Sequence, residues 1–341
     1  MTRSEPILIQ RNSSKGNPMS TRKIAVLSLA FAAAIPLSAC NRDSSATSAA
    51  DSGGKPVVIG LAVANLQADF FNQIKQSVEA EASAKGVKVQ VSDAGGDSAT
   101  QVNQIQDFIS RQVSAIIYIP AGATAAGVPV KAAQRANIPV INVDRNAPDA
   151  PGKTFIATDS VAAAKTLGDW VVKQQGGKGN IAILQGQIGT TPQVDRQKGF
   201  QEALNAAPGM KVIAQQPADW AQDKGFNVAQ DMIQAHQNIN VFWGQADAMA
   251  LGAAQAASNA NLNPKPLIVG FDGDKAGIQA VRDGKIDATM VQQTQLMGRL
   301  AVDAAIKLAK GEQVPAQQLQ TATLLTKADR AKADEFLAKH P

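Results

Sequence analysis

Short apolar runs alternate along the chain with longer segments in which apolar residues recur at helical spacing. Val57 to Ala64 is an apolar run bounded by proline and polar residues, and Phe70 to Lys85 has helical periodicity that ends at Gly86. This pair predicts one strand followed by one helix. Because the pattern recurs, we expect a mostly parallel sheet that is covered by helices on both faces.

The recurring pattern falls into two series. The first continues with predicted strands at 87–91, 115–120 and 139–144 and helices at 100–111 and 124–136. The second begins at Thr154, with strands at 155–158, 180–185, 211–216, 241–244 and 267–271 and helices at 160–174, 194–206, 223–235, 248–260 and 275–283. Segments at 288–293 and 297–310 and a last strand at 319–326 complete the body. The chain is thus predicted to form two doubly wound α/β lobes.

The first 40 residues have the pattern of an export signal. Arg22 and Lys23 precede an apolar run from 24 to 39 that is too short for a stable membrane span. The run ends in Leu-Ser-Ala-Cys40, which resembles a bacterial lipobox, and in that interpretation Cys40 becomes the lipidated first residue of the mature protein. The alternative is an ordinary signal that is cleaved nearby.

Two features flank this signal. Met19 is a more natural start than Met1, because residues 1–18 have no signal character. Residues 41–55 are mostly Ser, Ala, Gly and Asp, a composition that predicts a flexible tether.

Composition excludes several classes of function. The 341 residues are 45% hydrophobic and 18% charged, enough apolar material for two ordinary domains. The net charge is +5, but residues 1–40 hold five basic residues and one acidic residue, so the remainder is close to neutral and predicts no nucleic-acid partner. One cysteine and two histidines argue against disulfides and Cys- or His-rich metal sites. An exported domain also meets no supply of ATP or reduced nicotinamide, so we expect no cofactor.

The residues that follow the predicted strands have a common chemistry. In doubly wound sheets ligands bind outside the carboxyl ends of the strands. Carboxylates, amides, guanidinium groups and aromatic rings lie at these ends: Gln67, Asp69, Phe70, Phe71, Asp144, Arg145, Gln187, Asp219, Trp220, Trp243, Gln245, Asp247, Asp272 and Gln292. Charged groups bond to neighbouring hydroxyls and aromatic rings stack on C–H faces, which is the combination that a sugar requires. For each aromatic residue the alternative is core packing, and for Asp144 or Asp272 it is a helix N-cap.

The chain that carries these residues resembles bacterial periplasmic sugar-binding proteins of the ribose-binding type, which are the soluble receptors of ABC transporters. The resemblance runs from Val57 to about Thr326. Its most specific stretches are Ala-Asn-Ile-Pro-Val at 136–140, Val-Asp-Arg at 143–145, Gln-Gly at 185–186, Gly-Thr at 189–190, Asp-Arg at 195–196, Gly-Phe at 199–200, Gln-Pro-Ala-Asp at 216–219, Asp247, Met-Ala-Leu-Gly at 249–252 and Val-Gly-Phe-Asp-Gly at 269–273.

The resemblance implies the type I periplasmic binding protein fold, in which three crossing strands join two lobes that close on a sugar. By position, Phe70 and Phe71 look like the pair that stacks on the sugar, and Asp144 with Arg145 look like the main hydroxyl clamp. The resemblance gives further contact positions on the other lobe and beside the last crossing strand: Arg196, Trp220, Asp272 and Gln292. Weaker candidates are Gln67, Asp69, Trp243, Gln245 and Asp247.

Two positions depart from the family pattern. The family often has asparagine where this chain has Ala68 and Ala246. Each lost amide forfeits up to about two hydrogen bonds, at roughly 1 kcal/mol apiece. The sugar is therefore left open among ribose, a related hexose and a polyol.

The resemblance also implies the organisation of the chain and its partners. With crossings near Thr158, Gln292 and Ala322, we predict a signal peptide at 1–40, a tether at 41–55, a first lobe of 56–158 with 293–321, a second lobe of 159–292 with 322–330, and a C-terminal tail at 331–341 that lies outside the sugar-binding body. The implied partners of this monomer are a small sugar or polyol, an ABC permease in the inner membrane, the membrane itself through a lipid anchor at Cys40, and, as a further partner to consider, a chemoreceptor. The predicted location is the periplasm or cell envelope.

Two rival functions belong to other classes. A sugar-responsive regulator shares the two-lobed body but needs a DNA-reading N-terminal domain, where this chain has a signal and a tether. An enzyme would need a catalytic motif, and the nearest is Asp272-Gly273-Asp274, which is better explained as a ligand clamp and a helix cap. We therefore predict a binding protein without catalytic residues.

Overall fold

The computed structural model describes residues 56–339. The predicted signal peptide, the lipidation site Cys40 and the tether at 41–55 lie outside the described residues.

The first sheet has six strands, and every neighbouring pair is parallel. Its order is β11-β5-β4-β3-β1-β2, where the strands are β1 (Val58–Val63), β2 (Lys88–Asp93), β3 (Ala115–Tyr118), β4 (Val140–Val143), β5 (Thr154–Thr158) and β11 (Gln317–Gln320). The helices packed on it are α1 (Asp69–Ala84), α2 (Ser98–Ser110), α3 (Gly127–Arg135) and α9 (Thr294–Ala309). We call this sheet and its helices the first lobe.

The second sheet also has six strands and differs in one pairing, because its last strand is antiparallel to its neighbour. Its order is β12-β10-β9-β8-β6-β7, where the strands are β6 (Lys178–Gln185), β7 (Gly209–Pro217), β8 (Val241–Gly244), β9 (Leu267–Val269), β10 (Ala288–Val291) and β12 (Thr323–Thr326). Its helices are α4 (Ser160–Gln174), α5 (Thr191–Asn205), α6 (Gln222–Ala235), α7 (Asp247–Asn259), α8 (Lys275–Arg282) and α10 (Arg330–Lys339). These elements form the second lobe.

Each sheet is buried on both faces, as its apolar strands predict. In β1, Ile59, Leu61 and Val63 face one core together with α1 and α9, whereas Ala62 faces the opposite core with Phe108. The period of two residues along each strand sends neighbouring side chains to opposite faces. Two layers of helices therefore cover each sheet, and only the strand ends are free to carry binding groups.

The chain crosses between the lobes three times. It leaves the first sheet after Thr158, returns after Val291, and leaves again between Gln320 and Thr323. This confirms the predicted fold class of two doubly wound lobes joined by three crossings. The expected single strand at 319–326 is wrong, because β11 ends at Gln320 in one sheet and β12 begins at Thr323 in the other.

The C-terminal segment is part of the body. We expected residues 331–341 to lie outside it, but helix α10 packs against α8 and β12. Ala333 is fully buried in the core of the second lobe, and Phe336 and Leu337 pack against that core.

None of the helices within 56–339 is long and apolar enough to cross a membrane.

Gly199 on α5 gives a test of the helix packing. A Cβ at this position would lie 2.0 Å from the carbonyl oxygen of Val161 on α4. Glycine to alanine normally stabilises a helix by roughly 1 kcal/mol, but here the clash reverses the sign. We expect Gly199→Ala to lower the free energy of unfolding by about 1–3 kcal/mol, measured by urea denaturation.

The control is Gly127→Ala in α3, where the new Cβ would come no closer than 3.1 Å to the nearest atom, the Cβ of Ala150. Equal stability of the two variants would contradict the close approach of α4 and α5.

Candidate functional site

A cavity of about 690 Å³ lies between the two lobes, at the carboxyl ends of the strands of both sheets. Polar and aromatic residues line it from the first lobe (Asn65, Gln67, Asp69, Phe70, Phe71, Asp144, Arg145) and from the second (Gln187, Arg196, Asp219, Trp220, Asp272, Asp274). Most of the predicted contact residues are thus brought together, although the sequence separates some of them by more than 200 positions.

Two phenylalanines form an aromatic wall on the first lobe. Phe70 and Phe71 lie in the first turn of helix α1, and their rings meet edge to face with centroids 5.4 Å apart. The guanidinium carbon of Arg145 lies 5.1 Å from the centroid of the Phe71 ring. The wall therefore offers an apolar face beside a cation.

Asp144 and Arg145 follow strand β4 and are almost fully buried. Arg145 Nε lies 3.8 Å from Asp144 Oδ2, and Arg145 Nη1 donates to the carbonyl oxygens of Pro120 and Ala121. Burial raises the pKa of Asp144 and lowers the pKa of Arg145, and in each case the charge of the partner partly offsets the effect. The backbone carbonyls hold the guanidinium group in place, and its Nε has an ionic neighbour in Asp144 but no hydrogen-bond partner.

On the second lobe, Arg196 of α5 meets Asp272. Arg196 Nη1 lies 3.0 Å from Asp272 Oδ1 and also donates to the carbonyl oxygen of Gln245. Burial raises the pKa of Asp272 to about 7, and the charge of Arg196 offsets only part of this shift.

The backbone at Asp272 is in an unusual conformation, with φ of 123°. The strand partners hold it there, since Asp272 N donates to Met290 O and Gln292 N donates to Asp272 O. The next residue, Gly273, donates its backbone N–H to Asp247 Oδ2 at 2.8 Å. The loop is thus fixed from both sides in a conformation that turns the Asp272 carboxylate towards Arg196.

The Trp220 ring lies beside both arginines. Its centroid is 5.8 Å from the guanidinium carbon of Arg145 and 5.3 Å from that of Arg196. The ring packs on the backbone of Gly186, where a Cβ would come within 1.9 Å of it. Glycine is therefore required beneath the ring.

Three buried donors at this point have no hydrogen-bond partner: Arg145 Nε, Arg196 Nε and Trp220 Nε1. All three belong to residues that line the cavity. A buried donor without an acceptor costs about 1–3 kcal/mol. The arrangement is therefore suited to a ligand that supplies acceptor oxygens.

The lobes also touch each other directly. Asn146 N donates to Thr191 Oγ1 at 3.0 Å, Arg145 Nη1 to Gln187 Oε1 at 3.4 Å, and the Lys275 backbone N to Asp69 Oδ2 at 3.4 Å. Each bond joins a residue of the first lobe to one of the second. The structure therefore represents an arrangement in which the cavity is closed over at part of its rim.

Some predicted residues do not line the cavity. The predicted position of Trp243 at the cavity is wrong, because this residue is fully buried in the core of the second lobe and stacks on Phe200 with centroids 3.9 Å apart. The period of β8 points this side chain away from the cleft.

Gln245, Asp247 and Gln292 support the site from behind. Gln245 accepts from Gly186 N, and Asp247 accepts from Gly273 N and from Thr289 Oγ1. Gln292 bonds to Asp272 Oδ1 through Nε2. Gln245, Asp247 and Gln292 are not among the residues that line the cavity, and Gln292 is connected to it through Asp272.

Sequence reasoning also missed lining residues. Gln187 and Asp219 line the cavity, and their positions after predicted strands could have identified them, but they are not among the predicted site residues. Asp274 caps helix α8 by accepting from Gly277 N. Its sequence pattern indicates only this capping role, although the residue also lines the cavity. Asn65 lies in the loop after β1 and carried no signal.

Two alanines also line the cavity, one from each lobe. Ala68 and Ala246 occupy the N-cap positions of α1 and α7, and neither helix has a side-chain cap. The first turns of both helices therefore border open space. In the described part of the chain, no three His, Cys, Asp or Glu side chains are grouped so as to hold a metal ion.

Comparison with known proteins gives consistent matches. Residues 59–313 match the family described as periplasmic binding protein domain. The chain is 37% identical over 259 residues to the ribose import binding protein of Haemophilus influenzae, covering 76% of this chain and 88% of that protein. It is 32% identical over 289 residues to the galactofuranose-binding protein of Escherichia coli, covering 82% and 90%. The periplasmic binding protein component of the arabinose ABC transporter from Shewanella sp. ANA-3, bound to α- and β-L-arabinofuranose, has a TM-score of 0.78 at 29% identity, covering 83% of this chain and 96% of that chain.

The raised pKa of Asp272 predicts a pH dependence of stability. A carboxyl with a pKa of about 7 in the folded state binds its proton more tightly there than in the unfolded chain. Its contribution to stability is therefore greatest below about pH 4 and is lost as the pH rises to about 7. We expect the free energy of unfolding of the wild type, minus that of Asp272→Asn, to fall over this range by up to about 4 kcal/mol.

Urea denaturation of both proteins at intervals from pH 4 to pH 8 measures this difference. The subtraction removes the effect of titratable groups far from Asp272, so the difference reports Asp272 together with the neighbouring carboxyls that respond to its charge, such as Asp247. A difference that does not change with pH would contradict the burial of this carboxylate.

Proposed function

We propose, from the premise that this chain belongs to the periplasmic binding protein domain family, that it is the extracytoplasmic solute receptor of an ABC transporter. It captures a small uncharged sugar or polyol in the interlobe cavity and delivers it to a membrane permease. The observation that carries this proposal is the set of unpartnered buried donors on Arg145, Arg196 and Trp220 beside the carboxylates of Asp144 and Asp272.

A hydroxyl group satisfies both halves of this site. It donates to a carboxylate, which can only accept, and it accepts from a guanidinium or indole N–H, which can only donate. Such charge-assisted bonds are short and strong. A compound with several neighbouring hydroxyls would engage both arginine–aspartate pairs at once.

The aromatic residues suit the other surface of a sugar ring. Phe70 and Phe71 lie on the first lobe and Trp220 lies on the second, so apolar faces approach the cavity from both sides. C–H faces of a sugar stack on such rings. The polar groups then meet the hydroxyls at the ring edge.

The relatives' ligands define the class of compound. Ribose, galactofuranose and L-arabinofuranose are named for three similar proteins. We extend this class to the present chain as a pentose such as ribose, or a related hexose or polyol. The small side chains at Ala68 and Ala246 leave room for a substituent beyond the ring.

Contacts on both lobes make binding favour the closed arrangement. Because Asp144 and Arg145 lie on one lobe and Arg196 and Asp272 on the other, a ligand that bonds to all four stabilises the closed state over an open one. Rotation about the three crossings would carry the lobes apart. The closed form is the one that the permease would recognise.

The bound sugar is expected to leave unchanged. Of the two carboxylates in Asp272-Gly273-Asp274, Asp272 pairs with Arg196 and Asp274 caps helix α8, which supports a binding role over a catalytic one. The sugar-responsive regulator is not favoured, since one similar protein is a ribose import binding protein and another is a galactofuranose-binding protein.

The export route belongs to the same proposal. Residues 1–40 would direct secretion, Cys40 would carry a lipid anchor, and residues 41–55 would tether a monomeric receptor to the membrane. A chemoreceptor is a further partner for the closed form. Metabolic labelling with a fatty-acid analogue, compared between wild type and Cys40→Ser, reports the anchor directly.

A thermal-shift panel of pentoses, hexoses and polyols on the purified protein tests the function. We expect a rise in the melting temperature with at least one member of the panel. Arg145→Ala should weaken the binding of that compound by about 30-fold or more, because the loss leaves Asp144 buried without its partner. Calorimetry measures the affinity.

The matched control is Arg111→Ala, which removes an exposed arginine at the C-cap of α2 and should leave the affinity unchanged. Wild-type affinity in Arg145→Ala would remove the cavity from consideration as the binding site. No response to any sugar or polyol would exclude the proposed ligand class.

Ala246→Asn tests the space beside the ring. Asparagine at this N-cap favours the helix, so we expect equal or slightly higher stability of the ligand-free protein. The larger side chain should weaken hexose binding relative to pentose binding by about tenfold, because a bulky substituent and the amide would compete for the same space. Calorimetry with both sugars gives the ratio, and an unchanged ratio would show that the substituent does not occupy this part of the cavity.

A further inference from the structure

The three crossings are tied together by two glutamine–threonine pairs. The neighbours Gln292 and Gln293 lie in the second crossing. Gln292 Oε1 accepts from Thr158 Oγ1 of the first crossing at 2.6 Å. Gln293 Nε2 donates to the carbonyl oxygen and to Oγ1 of Thr321, in the third crossing, at 2.9 and 3.2 Å.

The two pairs differ in their surroundings. Thr158 and Gln292 are 5% and 6% exposed, whereas Gln293 and Thr321 are exposed. Only the buried pair continues to the cavity, because Gln292 Nε2 donates to Asp272 Oδ1 at 2.8 Å. The same oxygen lies 3.0 Å from Arg196 Nη1. A continuous set of bonds therefore runs from Thr158 through Gln292 to the wall of the cavity.

Chemistry fixes the order of these bonds. An ionised carboxylate can only accept, so the Gln292 amide nitrogen must face Asp272. The amide oxygen is then left for the hydroxyl of Thr158, which donates to it. Loss of that hydroxyl would leave a buried acceptor unpaired and free the amide to turn away from Asp272.

The Thr158–Gln292 bond also joins the two lobes. Thr158 ends β5 of the first sheet, and Gln292 follows β10 of the second. A rotation of one lobe against the other would therefore act on this bond, whose length is 2.6 Å. Thr158 itself is not among the residues that line the cavity.

We propose that Gln292 is a positioning residue that holds the Asp272 carboxylate towards the cavity and, through Thr158, couples the state of this carboxylate to movement about the crossings. The role in ligand binding rests on the proposed function, whereas the coupling is a property of the ligand-free protein. Because coupling is reciprocal, a change at Thr158 must alter the proton affinity of the Asp272 carboxyl.

The proton affinity of Asp272 reports this coupling. The hydrogen bond from Gln292 favours the ionised carboxylate and so lowers its pKa against the dominant effect of burial. The other charged groups around this carboxylate are Arg145, Arg196, Asp144, Asp247 and Asp274. None of them is altered in the variants below.

The experiment is a carbon-13 NMR titration of the Asp272 carboxyl in the purified ligand-free protein, with the resonance assigned by its loss in Asp272→Asn. We expect a midpoint near pH 7 in the wild type. Gln292→Met, which keeps the length of the side chain without its polar atoms, should raise the midpoint by about 1 unit. Thr158→Val should raise it by about 0.5 unit, although it touches neither the cavity nor Asp272.

Three controls separate this coupling from general loosening of the crossings. Gln293→Met and Thr321→Val break the exposed pair at the same crossings and should leave the midpoint unchanged. Thr158→Ser keeps the hydroxyl and should restore the wild-type value. If Gln292→Met does not fold, the comparison of Thr158→Val with Thr158→Ser decides the question alone.

Equal midpoints in Thr158→Val and the wild type would overturn the proposal, as would equal shifts in Thr158→Val and Thr321→Val. Binding of D-ribose, L-arabinose and myo-inositol to the wild type is measured separately. If neither these three compounds nor any other member of the panel of pentoses, hexoses and polyols binds while the midpoints shift as expected, the proposed ligand class fails and the coupling stands. If a sugar binds and the midpoints do not shift, the coupling fails and the proposed function stands.

Discussion

The cavity depends on the burial of two guanidinium groups, one from each lobe, that both line it. Arg145 and Arg196 come from different lobes and both lie against the Trp220 ring. Neither cation is fully bonded by the protein, because each keeps an unpaired Nε. Removing a charge from water is costly unless it is paired and hydrogen-bonded. The protein supplies one aspartate for each arginine, and the remaining N–H donors are available to a ligand in the cavity.

The fold makes this arrangement possible by placing both sheets with their carboxyl ends towards the same space. Each helix that follows a strand begins at that space, so Phe70 lies in the first turn of α1, Asp274 caps α8 and Arg196 lies in the second turn of α5. The buried strands behind them hold the loops rigid. Polar residues that do not reach the cavity, such as Asp247 and Gln245, bond the loops to one another. Precise placement of the binding groups therefore comes from a layer of buried polar contacts behind them.

The sequence predicted the fold well because its signals are periodic and local. Alternating apolar runs and helical segments identify the strands and helices, and the strand-end rule brings Asp144 and Asp272 to one place, whereas Arg196, inside helix α5, was indicated only by the resemblance to a family. The side-chain direction within a short buried strand has no such signal, which is why Trp243 was placed at the site when it lies in the core. Backbone conformation was equally hidden: Asp144, Asp219, Trp220 and Asp272 all have positive φ. Non-glycine residues seldom adopt it, and only the folded surroundings impose it.

The interleaved path of the chain has a consequence for the order in which the protein is made. The core of the first lobe includes Met297, Ala301, Val302 and Ala305 of helix α9, and the edge of its sheet is closed by β11. These elements leave the ribosome only after the whole of β6 to β10 has been synthesised. The amino-terminal lobe therefore cannot complete its core during most of translation, and its open sheet edge and bare apolar face stay available to chaperones until the last part of the chain emerges.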